Sequence, residues 1–354
     1  MLTYTSDRWS RSKTGRADSN RILKLWVGIM KKLLQRSCRR RSGKLITCSV
    51  FASFLFTATI APALADMCSE PVAAFNEAVN DAQYQVAQRQ IDQMAGDTTC
   101  EGYLIPAQRR LAASRLASAQ KLMTQNRPLG EYINLLIDSD RPGAVWQSAA
   151  TLAEVRFGQR QFAEAARSFD RAIEIVKNET LTPSTPSRPE IEGLLSRGAQ
   201  ARLLAANVQH GSDGGGFVAT TVRDGRLGGI FSAQVRGVVP RAVPMPITFD
   251  YRSASLTPEG EQAAMELARA IKEQQPAHVI LVGHTDVRGG PDYNMRLSLE
   301  RAQVVAGFLR QQSIDVPVEA NGVGADEPLH LSGTTGLNQE DIYALNRRVE
   351  WRRE

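Results

Sequence analysis

The chain has 354 residues, of which 42% are hydrophobic and 23% charged, a composition that is ordinary for a globular protein and excludes wholesale disorder. The formal net charge is +6, but residues 1–65 hold thirteen Lys or Arg and two Asp, a net charge of +11, which leaves −5 for residues 66–354. The basic character therefore belongs to the first 65 residues. The rest lacks the electrostatic footprint of nucleic-acid-binding proteins, and we expect no nucleic-acid partner.

Residues 1–65 have the layout of a secretory signal peptide. A basic stretch precedes an apolar run over residues 45–61, and the small residues Ala63 and Ala65 form a cleavage site. We therefore expect export to an oxidising compartment outside the cytoplasm. Two alternatives stay open, because the apolar run is nearly long enough to be kept as a membrane anchor and because Met30 is a second candidate for the true start.

Only Cys68 and Cys100 remain beyond the predicted signal peptide. A pair in an oxidising compartment suggests one disulfide, and two unrelated buried thiols are the alternative. Neither Cys has a His near it in sequence, and the four His residues do not have the spacings of metal ligands. The sequence also lacks a Gly-x-Ser-x-Gly nucleophile elbow and a marked acid–base pair. We therefore expect no metal, no cofactor and no catalytic residue.

Residues 66–206 have the composition of an all-helical region. Ala and Gln are abundant, β-branched runs are scarce, and residues 106–126 are rich in good helix formers. Two consecutive helices are indicated within residues 146–177, the first by Leu152, Ala153 and Phe157 and the second by Phe162, Ala165, Phe169 and Ala172. This spacing resembles a tetratricopeptide repeat, in which small residues let two helices approach closely. Because only one repeat matches, a generic helical bundle is the alternative.

Two stretches between the predicted elements are rich in helix-breaking residues. Residues 178–190 contain three prolines among Ser and Thr, which predicts a loop before a further helix over residues 190–206. Residues 207–242 contain Gly211 and Gly214–Gly216 and predict a flexible linker with short strands arranged as a hairpin.

From residue 243 the pattern alternates between strand and helix. Ile247 and Phe249 indicate a first strand, and Thr257-Pro258 provides an N-cap and the proline favoured at the first helical position. Further strands are predicted at Val279–Val282, residues 316–320 and residues 347–353. A second helix is expected before the third strand, with a core face formed by Ala302, Val305, Ala306 and Leu309.

Three motifs in the last third of the chain resemble those of the OmpA-like C-terminal domain. They are Gly283-His284-Thr285-Asp286-x-x-Gly289, Asn294-x-x-Leu297-Ser298-x-x-Arg301-Ala302, and Asn346-Arg347-Arg348-Val349-Glu350. The resemblance covers residues 243–354 and implies a βαβα-type α/β sandwich that binds peptidoglycan through the diaminopimelate residue of the stem peptide. It further implies that Asp286 and Arg301 are the main contacts, and that the pocket is also lined by Asn294, Leu297, Arg347 and Asp250.

The chemistry of diaminopimelate agrees with this assignment. Its free end is a zwitterion, so a receptor needs one acceptor for the ammonium and one planar donor for the carboxylate. Asp286 follows a predicted strand, where open α/β sheets bind ligands. Ser298 is expected to cap the second helix, which would place Arg301 in its first turn, where the helix dipole favours anions. Asn294 is expected to bridge the two charges. The alternative is that Asp286 and Arg301 form a structural salt bridge.

These inferences predict an α+β multidomain protein with a signal peptide (1–65), an all-helical, repeat-like region (66–206), a Gly-rich linker (207–242) and the OmpA-like domain (243–354). We expect it to be periplasmic, bound to the cell wall, peripheral to the outer membrane and not an enzyme. Helical repeats present concave surfaces to partners, so we expect an envelope protein on the helical region. The alternatives are a wall-remodelling enzyme anchored by the C-terminal domain and a membrane-anchored, stator-like element.

Overall fold

The computed structural model of the protein describes residues 68–207, 228–250, 252–331 and 336–353. The predicted signal peptide and the glycine cluster of the predicted linker lie outside the described residues. Within those four ranges, no helix has the length and apolar character needed to cross a bilayer.

Seven helices form the region that follows the predicted signal peptide, which confirms its all-helical character. They are α1 (Ser69–Asn80), α2 (Tyr84–Ala95), α3 (Glu101–Thr124), α4 (Leu129–Ser139), α5 (Trp146–Gly158), α6 (Phe162–Lys177) and α7 (Arg188–Asn207). The two helices predicted within residues 146–177 correspond to α5 and α6. Phe169 is buried, as are Ala165 and Ala172 on the same helix, so small residues do lie where neighbouring helices approach. The likeness to a tetratricopeptide repeat stays a prediction.

The disulfide between Cys68 and Cys100 is confirmed. The two Cα atoms are 5.2 Å apart, and the bond joins the residue before α1 to the residue before α3. Both sulfurs are buried in a small hydrophobic cluster with Phe75 and Ile91. The bond therefore closes the first three helices around a core of their own.

Four strands and three helices form the C-terminal domain. They are β1 (Ala242–Met245), α8 (Pro258–Gln274), β2 (Val279–Gly283), α9 (Pro291–Gln311), β3 (Val318–Gly322), α10 (Gln339–Asn346) and β4 (Val349–Arg352). The strand order is β1-β4-β2-β3. β2 pairs parallel with β3, whereas β4 pairs antiparallel with both β1 and β2. The start of α8 is as predicted, because the Thr257 side chain accepts a hydrogen bond from the backbone N–H of Gly260.

The first strand lies earlier than the sequence pattern predicted. β1 ends at Met245, which pairs with Val349, the first residue of β4, so residues 246–250 pair with no strand among the described residues. Ile247 is buried all the same, and Phe249 makes only an isolated bridge to Leu256. Ile247 and Phe249 therefore contact the hydrophobic core from outside the sheet and do not form a strand.

One hydrophobic core joins the helical region to the C-terminal domain. It includes Phe157 and Phe169 from α5 and α6 as well as Val243, Leu281 and Trp351 from the sheet. An ion pair adds to this contact, because the guanidinium of Arg160 donates to both carboxylate oxygens of Asp341 at 2.6 and 2.8 Å. The first turn of α10 is thereby attached to the loop between α5 and α6.

Candidate functional site

Asp286 lies in the loop between β2 and α9, three residues beyond the carboxyl end of β2, as predicted. Its side chain is buried, and two arginines bind it. Arg288 donates from Nη2 at 2.6 Å, from Nε at 3.1 Å and from its backbone N–H at 2.9 Å. Arg347, the residue after α10, donates from Nη1 at 2.8 Å. Burial alone would raise the pKa of the Asp286 carboxyl, but these hydrogen bonds outweigh burial and hold the pKa below its ordinary value.

Arg301 lies about three turns into α9, so the prediction that it occupies the first turn is wrong. The helix begins at Pro291, with Gly290 at the N-cap, because proline is favoured at the first helical position. Ser298 therefore sits inside the helix, where its hydroxyl donates to the carbonyl of Met295 and accepts from the N–H of Gly324. The partial charge at the helix N-terminus falls off within the first turn and does not reach the Arg301 guanidinium.

The guanidinium of Arg301 is buried beside Asp286 without binding it. Its Nε donates to the carbonyl of Ser253 at 3.0 Å, and its plane lies 4.9 Å from the centre of the Phe249 ring. Burial lowers the pKa of Arg301 to about 10, and the charge of Arg347 acts in the same direction, so the group stays protonated at neutral pH. Over the described residues, its two terminal nitrogens make no hydrogen bond and no ion pair with Asp286. The alternative of a structural salt bridge is therefore wrong.

The remaining predicted pocket residues lie near Asp286 and Arg301, but among the described residues their side chains do not bind either charged group. Asn294 is buried, and its amide donates to the backbone carbonyl of Asp286 at 3.2 Å, so it fastens the loop and does not bridge the charges. Leu297 is buried one turn further along α9. Asp250 is exposed, and its backbone N–H donates to Ser255 within the loop that carries Ser253. It thus lies in the segment next to Arg301, without a side-chain contact to either charge among the described residues.

Two residues that the sequence analysis did not identify complete the charged cluster. The carboxylate of Glu340 accepts from Arg288 Nη1 and from Arg347 Nη1, both at 3.2 Å. The guanidinium of Arg288 also stacks 4.5 Å from the centre of the Tyr343 ring. Arg288 stood in the first motif, where it was treated as an unspecified position. Glu340 was missed because α10, on which it lies, was not predicted.

A second buried charge network lies behind the pocket, where β2 and β4 meet. The Nε2 of His284 is 3.4 Å from an oxygen of Glu350, and the guanidinium of Arg348 is 2.7 Å from the other. Burial alone would raise the pKa of Glu350, but the contacts with His284 and Arg348 outweigh it and lower the pKa to about 2. The backbone N–H of His284 donates to the carbonyl of Arg348 at 2.9 Å. This network thus fixes the start of the loop that carries Asp286.

The described part of the chain contains no group of three or more His, Cys, Asp or Glu that could hold a metal ion. The charged cluster instead contains the buried carboxylate of Asp286 beside the buried guanidinium of Arg301, whose two terminal nitrogens make no hydrogen bond among the described residues. Such a pair matches a ligand that carries both an ammonium and a carboxylate.

Comparison with known proteins finds relatives of the C-terminal domain. Residues 248–341 match the OmpA family. The probable lipoprotein YiaD of Escherichia coli strain K12 is 38% identical over 109 residues, which cover 30% of this chain and 48% of that protein. The peptidoglycan-associated lipoprotein of Pseudomonas putida is 37% identical over 106 residues, which cover 30% of this chain and 60% of that protein.

Among solved structures, the peptidoglycan-associated lipoprotein from Burkholderia pseudomallei is 27% identical, with a TM-score of 0.26, over 32% of this chain and 89% of that one. The chain spans about half the length of the curated relatives it matches. Residues 248–341 form an OmpA-family domain.

Proposed function

We propose that the protein is a non-enzymatic peptidoglycan-binding protein of the periplasm, bound to the cell wall and peripheral to the outer membrane. A relative that is 37% identical to this chain over 106 residues is named a peptidoglycan-associated lipoprotein, which supports this proposal. The observation that carries it is the arrangement of Asp286 and Arg301. The guanidinium of Arg301 is buried beside the carboxylate of Asp286, and among the described residues its two terminal nitrogens make no hydrogen bond, an arrangement that costs free energy unless the anionic group of a ligand completes it.

Diaminopimelate in the peptidoglycan stem peptide is the ligand that this arrangement fits. Its ammonium would bind the carboxylate of Asp286, and its carboxylate would receive two parallel hydrogen bonds from the open nitrogens of Arg301. Asn294 would hold the loop in place, Leu297 and Phe249 would supply apolar contacts, and Arg347 would stay on Asp286. The exposed Asp250 would lie at the rim of the pocket.

Co-sedimentation with purified sacculi tests the proposal. Asp286→Ala or Arg301→Ala removes one half of the receptor and leaves a partner charge of the ligand unpaired, so we expect each to lower affinity by roughly 30-fold or more. Asp315→Ala and Arg310→Ala remove the same charges at exposed positions of the same domain and should pellet like the wild type. Circular dichroism would confirm folding, and wild-type pelleting by both pocket variants would refute the assignment.

The same incubation distinguishes a receptor from an enzyme. A wall-remodelling enzyme would release muropeptides from the sacculi into the supernatant, whereas a receptor would leave the sacculi intact. We expect no release with the wild type beyond that of buffer, and release that depends on the protein would overturn the non-enzymatic assignment.

We also propose that the helical region binds an envelope protein. The support is the repeat-like series of helices, because helical repeats present surfaces to partners. Large apolar side chains are exposed singly on α3 and α4, at Tyr103, Ile105 and Ile137, and they provide positions from which to test the proposal. Crosslinking from Ile105 in intact cells should recover one specific protein, and the substitution Ile137→Ser should reduce that product. A crosslinker at the exposed Arg310 serves as the control. If the crosslinker at Ile105 captured no more protein than this control, the proposed partner would be refuted.

A further inference from the structure

The position where a ligand ammonium would bind Asp286 is already filled by a side chain. Arg288 makes three contacts to the Asp286 carboxylate, two from its guanidinium and one from its backbone N–H. Its side chain nonetheless remains 51% exposed, whereas that of Asp286 is 7% exposed. The guanidinium thus covers the buried carboxylate from the solvent side, the side from which a ligand must arrive.

Arg288 has a second acidic partner within reach. Its Nη1 is 3.2 Å from one oxygen of Glu340 and its Nη2 is 3.4 Å from the other. The side chain of Glu340 is 61% exposed, and the ring of Tyr343 on the same helix stacks against the Arg288 guanidinium. The Arg288 side chain can therefore release Asp286 and keep both its stacking contact and a charge partner.

Arg347 does not have the same freedom. It also contacts both carboxylates, at 2.8 Å to Asp286 and 3.2 Å to Glu340, but it is only 28% exposed. Its backbone is fixed between α10 and β4, where its N–H donates to the carbonyl of Tyr343. Of the two arginines on Asp286, Arg288 is the one that a ligand can displace.

We propose that Arg288 fills the ammonium subsite of the unliganded pocket, and that a ligand ammonium displaces its guanidinium from Asp286 onto Glu340. This inference rests on the proposed function. It makes Arg288 an internal competitor that sets a threshold for binding. An amine without a carboxylate gains nothing from Arg301 and competes poorly, whereas a zwitterionic head group gains contacts at both charges. Arg288 and Glu340 are therefore specificity-determining residues.

The test is titration of the exported full chain with a diaminopimelate-containing muropeptide purified from sacculi. Arg288→Met removes the competing charge and keeps an unbranched side chain for Tyr343, so affinity should rise by about twofold to tenfold. Glu340→Gln removes the alternative partner and should lower affinity by a similar factor. In the double variant Arg288→Met/Glu340→Gln, the substitution at Glu340 should change the affinity little further, because Glu340 no longer has an Arg288 guanidinium to accept from. Arg310→Met, an equal charge change at an exposed site, should bind like the wild type.

Three outcomes would overturn this inference. Weaker binding by Arg288→Met would make Arg288 a direct ligand contact. An equal effect of Glu340→Gln in both backgrounds would mean that Glu340 acts on the ligand itself. Unchanged affinity in both single variants would mean that no exchange takes place. A failure of the proposed function is distinguishable from these, because Asp286→Ala and Arg301→Ala would then bind the muropeptide as tightly as the wild type.

Discussion

Glu350 is a buried carboxylate whose charge depends on His284 and Arg348. Because its pKa is lowered to about 2 from an ordinary value of 4.5, its ionised form stabilises the folded protein. That stabilisation is fully present above pH 4.5 and is lost as the pH falls toward 2. We expect Glu350→Gln to destabilise the protein by about 3 kcal/mol at pH 7, since it leaves Arg348 buried without its anion. Urea denaturation at several pH values measures both effects.

The difference in unfolding free energy between the wild type and Glu350→Gln should shrink steadily between pH 4.5 and pH 2. Glu319→Gln, on the exposed edge strand β3, provides the control and should differ little from the wild type at any pH. A difference between wild type and Glu350→Gln that is constant with pH would show that the loss comes from packing and not from charge.

Single residues of the pocket were predictable where a motif named them, and less so where their roles depend on geometry. Asp286 follows β2 as expected, because the apolar run before it fixes the end of the strand. The position of Arg301 within α9 was wrong, because Gly290-Pro291 and Ser298 are both plausible helix starts and the sequence does not rank them. The pairing of Asp286 with Arg347 depends on side-chain geometry across 61 positions of the chain, which no local pattern contains. Arg288 is only two positions from Asp286, but its position in the motif was left unspecified.

At the scale of elements, long helices and buried strands could be predicted, and short elements could not. The core face of α9 at Ala302, Val305, Ala306 and Leu309 is buried as the periodicity indicated. α10 has only eight residues, too few for a periodic pattern to stand out. Its one local signal was the capping box between Asn338 and Asp341, in which each side chain accepts from the other residue's backbone N–H. Because Glu340 lies on this helix, the missed element also hid a residue of the charged cluster.

At the scale of the whole molecule, the sequence suggested separate regions joined by a linker, and the structure gives them a common core. Side chains of α5–α7 and of the sheet belong to one hydrophobic cluster, so neither part buries its apolar surface alone. A shared core of this kind favours cooperative unfolding. The proposed partner of the helical region and the proposed wall contact of the C-terminal domain would therefore both act on this common core.

The ion pair between Arg160 and Asp341 tests this coupling. Arg160 is 47% exposed and Asp341 is 8% exposed, so Arg160→Ala leaves a buried carboxylate without its cation and should destabilise the protein by about 1 kcal/mol. Urea unfolding of the chain without residues 1–65 and with Trp146→Phe would be followed by helical ellipticity and by fluorescence, which then comes from Trp351. Because the core is shared, both midpoints should coincide in the wild type and move down together in the variant. Arg167→Ala breaks an exposed pair with Glu164 and should shift neither. If only one signal moved, the two regions would unfold independently, and the common core would not couple them.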